Sequence, residues 1–258
     1  MLLAIDVGNT NIVFAVFEGK SLRGSWRLHT YAGRSADEYG AFLHQVFSME
    51  GLHFSDIDDV LISSVVPETH FHLSTFCDRL LGCKALMINK DQVPMRIDMD
   101  RPEDVGADRL VNALAVTLHY DDVLRKSGAI VVDFGTATTF DVITKDKVYA
   151  GGAIAPGIDV SVNALHSAAS KLPKIAVRRP ELAIGKSTAE AMRAGVYWGY
   201  AGLIDRIIEQ ISGELGSERP YIIATGGLAR LFEDEGLIDA IDQELTLKGL
   251  LAIYQEMR

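Results

Sequence analysis

Two similar hairpins, half a chain apart, constrain the fold most. In LLAIDVGNTNIVFAV, residues 2–16, an apolar run ends in Asp6, a tight turn follows at residues 8–10, and a second apolar run comes next. The stretch GAIVVDFGTATTFDVIT, residues 128–144, repeats this pattern, and its first run ends in Asp133. Each stretch predicts a β-hairpin with a carboxylate at its mouth. The duplication predicts two similar halves that face each other across a cleft.

The first turn has the chemistry of a phosphate cradle. Gly8 lets the backbone come close to a ligand, and Asn9, Thr10 and Asn11 offer amide and hydroxyl donors to anionic oxygens. Asp6 repels phosphate, so we expect it to hold a divalent metal ion, or the waters of that ion, against the phosphates. A polar turn without a ligand is the alternative for one hairpin alone, and its recurrence favours the phosphate site.

Composition and charge limit the class of protein. The 258 residues, 48% of them hydrophobic, suit one or two globular domains. The duplication favours two, which we assign to residues 1–122 and 123–258 with a short linker at about residues 121–127. The formal charge of −10 disfavours nucleic acid or an anionic membrane surface as partner. No apolar segment approaches the roughly 20 residues of a membrane span, and no basic leader precedes the first hairpin, which predicts a cytoplasmic protein.

Several alternative sites are rejected or left open. Cys77 and Cys83 are the only cysteines, and we expect them to be reduced rather than bridged. The seven histidines show no zinc spacing. The stretch around Lys186 is not a Walker A motif, because Pro180 stands where the template needs glycine.

Residues 106–109, with the sequence GADR, form the third candidate site. They follow a Pro-Glu-Asp stretch that is typical of a helix start. Solvated surface charges are the alternative, but Gly106 and Ala107 remove bulk beside the charges, as a ligand contact would require. The carboxylate of Asp108 can accept a hydroxyl proton, and the guanidinium of Arg109 can clamp a carboxylate or a transferring phosphoryl group.

The remaining elements complete the two halves. The first half reads β-β-β-α-β-α-β, the order of a ribonuclease-H-like domain. In the second half we predict a third strand at residues 148–153, a helix around residues 161–169 and a long helix after Ser187. Within that helix, residues 197–201 (YWGYA) carry aromatic and small side chains, and we interpret them as core or as a dimer surface. A strand is predicted before the Thr-Gly-Gly at residues 225–227. The two glycines indicate either a nucleoside site or a common turn.

The hairpins resemble those of the acetate and sugar kinase, Hsp70 and actin superfamily. The ordered motifs DVGNTN, SSVVP, PxxVGADR, DFGTATT, GGxIxPG and TGG, within residues 6–227, closely resemble those of type III pantothenate kinases. The resemblance implies an α/β fold of two ribonuclease-H-like (actin-like ATPase) domains, each a mixed sheet with flanking helices, and an ATP cleft between them. It implies phosphoryl transfer from ATP to the 4′-hydroxyl of pantothenate, the first step toward coenzyme A. It also implies a homodimer that needs Mg²⁺ and a monovalent cation, K⁺ or NH₄⁺.

The same resemblance implies roles for individual residues. It makes Asp108 the general base and Asp133 the ligand of the monovalent cation. It gives nucleotide contacts to Asp6, Val7, Gly8, Asn9, Thr10, Asn11 and Thr136, with Mg²⁺ at Asp6 directly or through water. It gives pantothenate contacts to Gly106, Ala107, Asp108, Arg109 and Thr188.

The alternative for Thr188 is purely structural: it would be the start of a helix after Ser187. Members of the family often carry Tyr three residues before the helix-opening proline, and here that residue is Met99. The rival functions are another small-molecule kinase or phosphohydrolase of the superfamily, and a non-catalytic regulator with the same fold.

Overall fold

The computed structural model describes residues 1–216 and 219–258, and its contacts divide the chain into two compact units. Unit 1 comprises residues 1–94, 100–115 and 245–258. Unit 2 comprises residues 95–99 and 116–244. This division places the last helix with the first hairpin. The domain boundary between residues 122 and 123 stays a prediction.

Eleven strands and seven α-helices are named below within the described residues. The strands are β1 Leu2–Val7, β2 Asn11–Glu18, β3 Ser21–His29, β4 Asp59–Ser64, β5 Ala85–Met87, β6 Arg96–Ile97, β7 Ala129–Phe134, β8 Ala137–Ile143, β9 Val148–Pro156, β10 Tyr221–Gly226 and β11 Ala240–Ile241. The helices are α1 Ala36–Met49, α2 His70–Phe76, α3 Ala107–His119, α4 Asp121–Ser127, α5 Ile158–Ala168, α6 Thr188–Leu215 and α7 Leu245–Glu256. One π turn, Cys77–Leu81, extends α2.

Unit 1 is built on a five-stranded mixed sheet with the order β3-β2-β1-β4-β5. Every second residue of β1 and β2 shares one face of the sheet, and this face packs its buried apolar side chains against α1 and α2 (Leu3, Ile5, Val7, Ile12, Phe14 and Val16). Helix α1 begins with a capping box, in which the Ser35 hydroxyl accepts from the Glu38 N–H and the Glu38 carboxylate accepts from the Ser35 N–H. Helix α7 packs against β1 and β4 and, through Gly249, against α3.

Unit 2 repeats that plan. Its six-stranded sheet has the order β11-β10-β7-β8-β9-β6. Strands β9-β8-β7-β10-β11 therefore correspond one by one to β3-β2-β1-β4-β5, with the same antiparallel hairpin and the same parallel neighbour. The predicted α/β class with two similar mixed sheets is confirmed.

Three local predictions differ from the structure, and one strand was not predicted. The predicted linker, residues 121–127, is helix α4, in which Asp121 and Arg125 form an i,i+4 ion pair of 2.8 Å. The third strand of unit 2 does not end at Ala153 but continues to Pro156, with Gly151 and Gly152 inside it at positive φ. Strand β6 was not predicted, because two residues carry no periodic signal. Residues 225 and 226 belong to β10 itself.

The stripe at residues 197–201 lies mostly in the core of unit 2. Tyr197, Tyr200 and Ala201 are buried, whereas Trp198 is 38% exposed. The first three are therefore core residues, which agrees with the first of the two interpretations. Helix α6 instead exposes Gly195, Gly199 and Gly202, and an added Cβ at any of these three meets no atom within 4 Å.

Within the described residues, the helices are too short or too polar to cross a lipid bilayer.

Candidate active site

The first hairpin turn is closed by a backbone hydrogen bond. Gly8 donates its N–H to the carbonyl of Asn11 at 3.0 Å, so the chain reverses over four residues between β1 and β2. Asn9, Thr10 and Asn11 are exposed at the tip. The predicted donors to an anionic ligand therefore face solvent at the end of the sheet.

Asp6 lies at the penultimate position of β1, beside Val13 of β2 and Ser63 of β4. Paired residues share a face of the sheet, so the Asp6 carboxylate and the Ser63 hydroxyl project to the same side. Ser63 is fully buried, and its Oγ has no hydrogen-bond partner within the described residues. An unsatisfied buried hydroxyl next to a carboxylate fits a hydrated divalent ion, since the bound waters would supply the missing partner.

The GADR segment begins α3, in the same unit as the first turn. Asp108 is half-buried, and its Oδ1 accepts the N–H of Arg109 at 2.8 Å. A Cβ on Gly106 would lie 2.6 Å from that same Oδ1 and 3.7 Å from Val65. Val65 in turn donates its N–H to Val7 at the end of β1, at 3.1 Å. The start of α3 thus lies next to the strand ends that carry the first turn.

The second turn is one residue tighter than the first. Gly135 donates its N–H to Ala137 at 3.0 Å, and Gly157, before α5, donates its N–H to the carbonyl of Thr136 at 3.0 Å. The hydroxyl of Tyr200 on α6 donates to the Pro156 carbonyl, and burial raises the pKa of Tyr200. The turn that carries Thr136 is therefore braced by α5 and α6.

Asp133 occupies the position in β7 that Asp6 occupies in β1. It lies between Thr139 of β8 and Thr225 of β10. A Cβ on Gly226 would lie 2.5 Å from Asp133 Oδ1, and Gly226 has a φ of +87°. The Thr-Gly-Gly motif thus makes room for the carboxylate. A carboxylate flanked by hydroxyls and carbonyls suits a hard cation, which prefers oxygen ligands. No cluster of three or more His, Cys, Asp or Glu suited to a metal exists in the described part of the chain.

Thr188 is the first residue of α6 and is exposed. The N-cap is Ser187, whose hydroxyl accepts from the Glu190 N–H at 3.3 Å, as predicted. Next to this helix start lies a cavity of 310 Å³. Its charged lining consists of Arg178, Arg179, Lys186, Arg193, Glu181 and Glu190. The sequence interpretation missed this cavity because its arginines carry no motif and converge only through the loop before α6.

Met99 packs within unit 2. Its Sδ lies 2.8 Å from the position of a Cβ on Gly151 in β9. The glycine therefore accommodates the thioether, which explains how the chain holds methionine at this position. The two cysteines are unpaired, as predicted.

A family model and the curated relatives point to one family. The family model described as type III pantothenate kinase matches residues 2–210. A type III pantothenate kinase of Paramagnetospirillum magneticum is 51% identical over 99% of this chain and 97% of its own length. Two solved structures share the fold at low identity. One, a candidate Baf-family transcriptional activator from Campylobacter jejuni, has a TM-score of 0.60 at 18% identity, covering 99% of this chain and 98% of its own. The other, a candidate 2-dehydro-3-deoxygalactonokinase from Sinorhizobium meliloti, has a TM-score of 0.62 at 12% identity, covering 100% and 97%.

Proposed function

Because the chain belongs to the type III pantothenate kinase family, we propose that it transfers the γ-phosphoryl group of ATP to the 4′-hydroxyl of pantothenate. The product would be 4′-phosphopantothenate, the first intermediate toward coenzyme A. The GADR segment at the start of α3 carries the proposal, because its half-buried carboxylate lies in the same unit as the first phosphate turn. ATP and pantothenate are then the small-molecule partners, and the need for ATP supports a cytoplasmic location.

We assign the acid–base step to Asp108. The 4′-oxygen of pantothenate attacks the γ-phosphorus, the bond to the β-bridging oxygen breaks, and ADP leaves. The hydroxyl proton passes to the carboxylate of Asp108. Such base catalysis contributes about 10²-fold to 10⁴-fold. Gly106 supports the assignment because its missing side chain leaves space at Asp108 Oδ1, and Ala107 and Arg109 would contact pantothenate beside it.

The first turn would hold the transferred phosphates. Phosphoryl transfer depends on positioning and charge stabilisation more than on covalent chemistry. Val7, Gly8 and the polar tip residues 9–11 would orient the phosphates through N–H and side-chain donors. A divalent ion bound with ATP neutralises developing charge on the phosphates, and Asp6 and Ser63 would hold it or its waters. In unit 2, Thr136 would contact the nucleotide and Thr188 would contact pantothenate.

We propose that Asp133 holds a monovalent cation, K⁺ or NH₄⁺. The flanking hydroxyls of Thr139 and Thr225 and the space left by Gly226 support this assignment. The Thr139 hydroxyl also donates to the Asp141 carboxylate at 3.0 Å, so a second carboxylate lies near this site.

We also propose a homodimer that uses α6. Gly195, Gly199 and Gly202 form an exposed strip on this helix, and Trp198 is exposed on it as well. Glycines cost a helix stability, so three open ones are better explained by close approach of a second backbone. Light scattering would test the oligomeric state. A dimeric wild type together with a monomeric Gly199→Arg variant would support the α6 surface. A monomeric wild type would refute the dimer.

A coupled ADP-release assay tests the function. Pantothenate, glucose, acetate and no acceptor are compared, each with and without K⁺. We expect ADP release only with pantothenate, and more of it with K⁺. Release with another acceptor would indicate a different kinase of the superfamily. Release without any acceptor would indicate a phosphohydrolase, and no release under any condition would favour a regulator that keeps the fold.

A further inference from the structure

Thr30 lies outside the first hairpin and donates two hydrogen bonds to its turn. It directly follows β3 and is half-buried. Its hydroxyl donates to the Gly8 carbonyl at 2.6 Å, and its N–H donates to the Thr10 carbonyl at 2.8 Å. Two carbonyls of the turn are therefore drawn toward one residue that lies some twenty positions away in sequence.

The second hairpin has only the backbone part of this arrangement. There Gly157, which follows β9, donates its N–H to Thr136. A Cβ on Gly157 would lie 2.2 Å from the Thr136 carbonyl oxygen, so no side chain can occupy this place. The hydroxyl bond thus accompanies the first turn, which is longer by one residue.

The direction of these bonds determines where the donors of the turn point. In a planar trans peptide, the C=O and the following N–H lie on opposite sides. Because Thr30 draws the carbonyls of Gly8 and Thr10 toward itself, the N–H groups of Asn9 and Asn11 must point away from it. Backbone N–H groups on the side of the turn opposite Thr30 can bind a phosphate there.

We propose that Thr30 is a positioning residue that aims the Asn9 and Asn11 N–H groups at the nucleotide phosphates. This inference rests on the proposed function in placing phosphates at the first turn. Thr30 itself need not touch the nucleotide. Before ATP binds, the Thr30 hydroxyl already holds the longer turn with the Asn9 and Asn11 N–H groups directed away from Thr30. Loss of this hydroxyl should therefore weaken nucleotide binding and leave pantothenate binding unchanged.

Thr30→Val is the direct test, because valine keeps the shape and the backbone bond but removes the hydroxyl. Loss of one hydrogen bond of about 1 kcal/mol corresponds to a roughly fivefold change in affinity. We expect the Kd for Mg²⁺ with a non-hydrolysable ATP analogue to rise about fivefold by calorimetry. The KM for ATP should rise similarly, while the KM for pantothenate stays unchanged. Thr30→Ser should restore the wild-type values.

Thr75→Val is the matched control. The Thr75 hydroxyl also donates to a backbone carbonyl, that of Phe71 at 2.7 Å, but within α2. It should change neither constant.

An unchanged analogue Kd in Thr30→Val would overturn the inference. So would equal losses for ATP and pantothenate together with a lower melting temperature, because these indicate general loosening. The calorimetric measurement needs no acceptor, so it tests Thr30 even if the wild type fails to phosphorylate pantothenate.

Discussion

At the scale of single residues, glycines shape the site as much as the functional side chains do. Two of the three carboxylates with proposed chemical roles have a glycine against Oδ1: Gly106 lies beside Asp108 and Gly226 beside Asp133. In each case a methyl group would lie within 2.6 Å of the oxygen. The small residues of the GADR and Thr-Gly-Gly motifs thus leave room for carboxylates of the chain itself.

Gly226→Ala should damage the proposed cation site. The new Cβ would meet Asp133 Oδ1 at 2.5 Å and the Phe134 carbonyl at 2.7 Å, at a φ of +87°. We expect a loss of about 1–3 kcal/mol in the free energy of unfolding. K⁺ activation in the ADP-release assay should also be lost, as it should be in Asp133→Ala.

Gly227→Ala is the control for that substitution, since its Cβ would meet no atom within 4 Å. Both unfolding in urea and K⁺ activation should stay near the wild type. Equal behaviour of the two glycine variants would contradict the role given to Gly226.

Cys77 should resist thiol reagents in the folded chain. Burial, followed by the nearby Cys83, raises the pKa of the Cys77 thiol to about 12 from its usual 9. The pKa is higher in the folded state, so this group contributes stability below about pH 9 that is lost as the pH rises toward 12. In Cys83→Ser at pH 8, we expect labelling by a disulfide reagent only after unfolding in urea. Fast labelling of the native variant would contradict the burial.

Residue chemistry was readable from the sequence only where it is local. Asp6 and Asp133 end apolar runs, and that pattern alone marks them. The sequence could not show that Ser63 lies beside Asp6, or that Thr30 holds Gly8, because these neighbours come from pairing between distant segments.

At the scale of elements, α7 completes unit 1 although it comes from the far end of the chain. Gly249 lets α7 approach α3, since a Cβ there would lie 2.2 Å from the Val111 carbonyl. Tyr254 donates to Asp59 of β4 at 2.7 Å. Burial, then this bond, raises the pKa of Tyr254 to about 12. The sequence could not show this role of α7, because the contacts of the helix span the chain.

Gly249→Ala should therefore destabilise the protein. Forcing a methyl group against a backbone carbonyl in a packed helix pair costs about 1–3 kcal/mol. Gly202→Ala in α6 is the contrasting variant, because its Cβ meets nothing and alanine favours helix by up to about 1 kcal/mol. In urea unfolding of the monomeric Gly199→Arg background, we expect opposite signs for the two changes. A neutral Gly249→Ala would show that α7 does not pack closely on α3.

At the scale of the whole molecule, the repeat in the sequence corresponds to a repeat in topology. The same five-strand order occurs in both units, and each hairpin has an aspartate at the penultimate position of its first strand. This part of the fold was predictable because duplicated hairpins carry strong turn and periodicity signals. Strand β6 and the assignment of α7 to unit 1 were not, because they depend on contacts between segments distant in sequence.

The central claim is that this family member uses Asp108 as the base for pantothenate. Its most direct test is pantothenate-dependent ADP release by Asp108→Asn, which keeps the size of the side chain. We predict a loss of about 10²-fold to 10⁴-fold in kcat, with unchanged binding of the non-hydrolysable ATP analogue. Wild-type turnover in this variant would contradict the account.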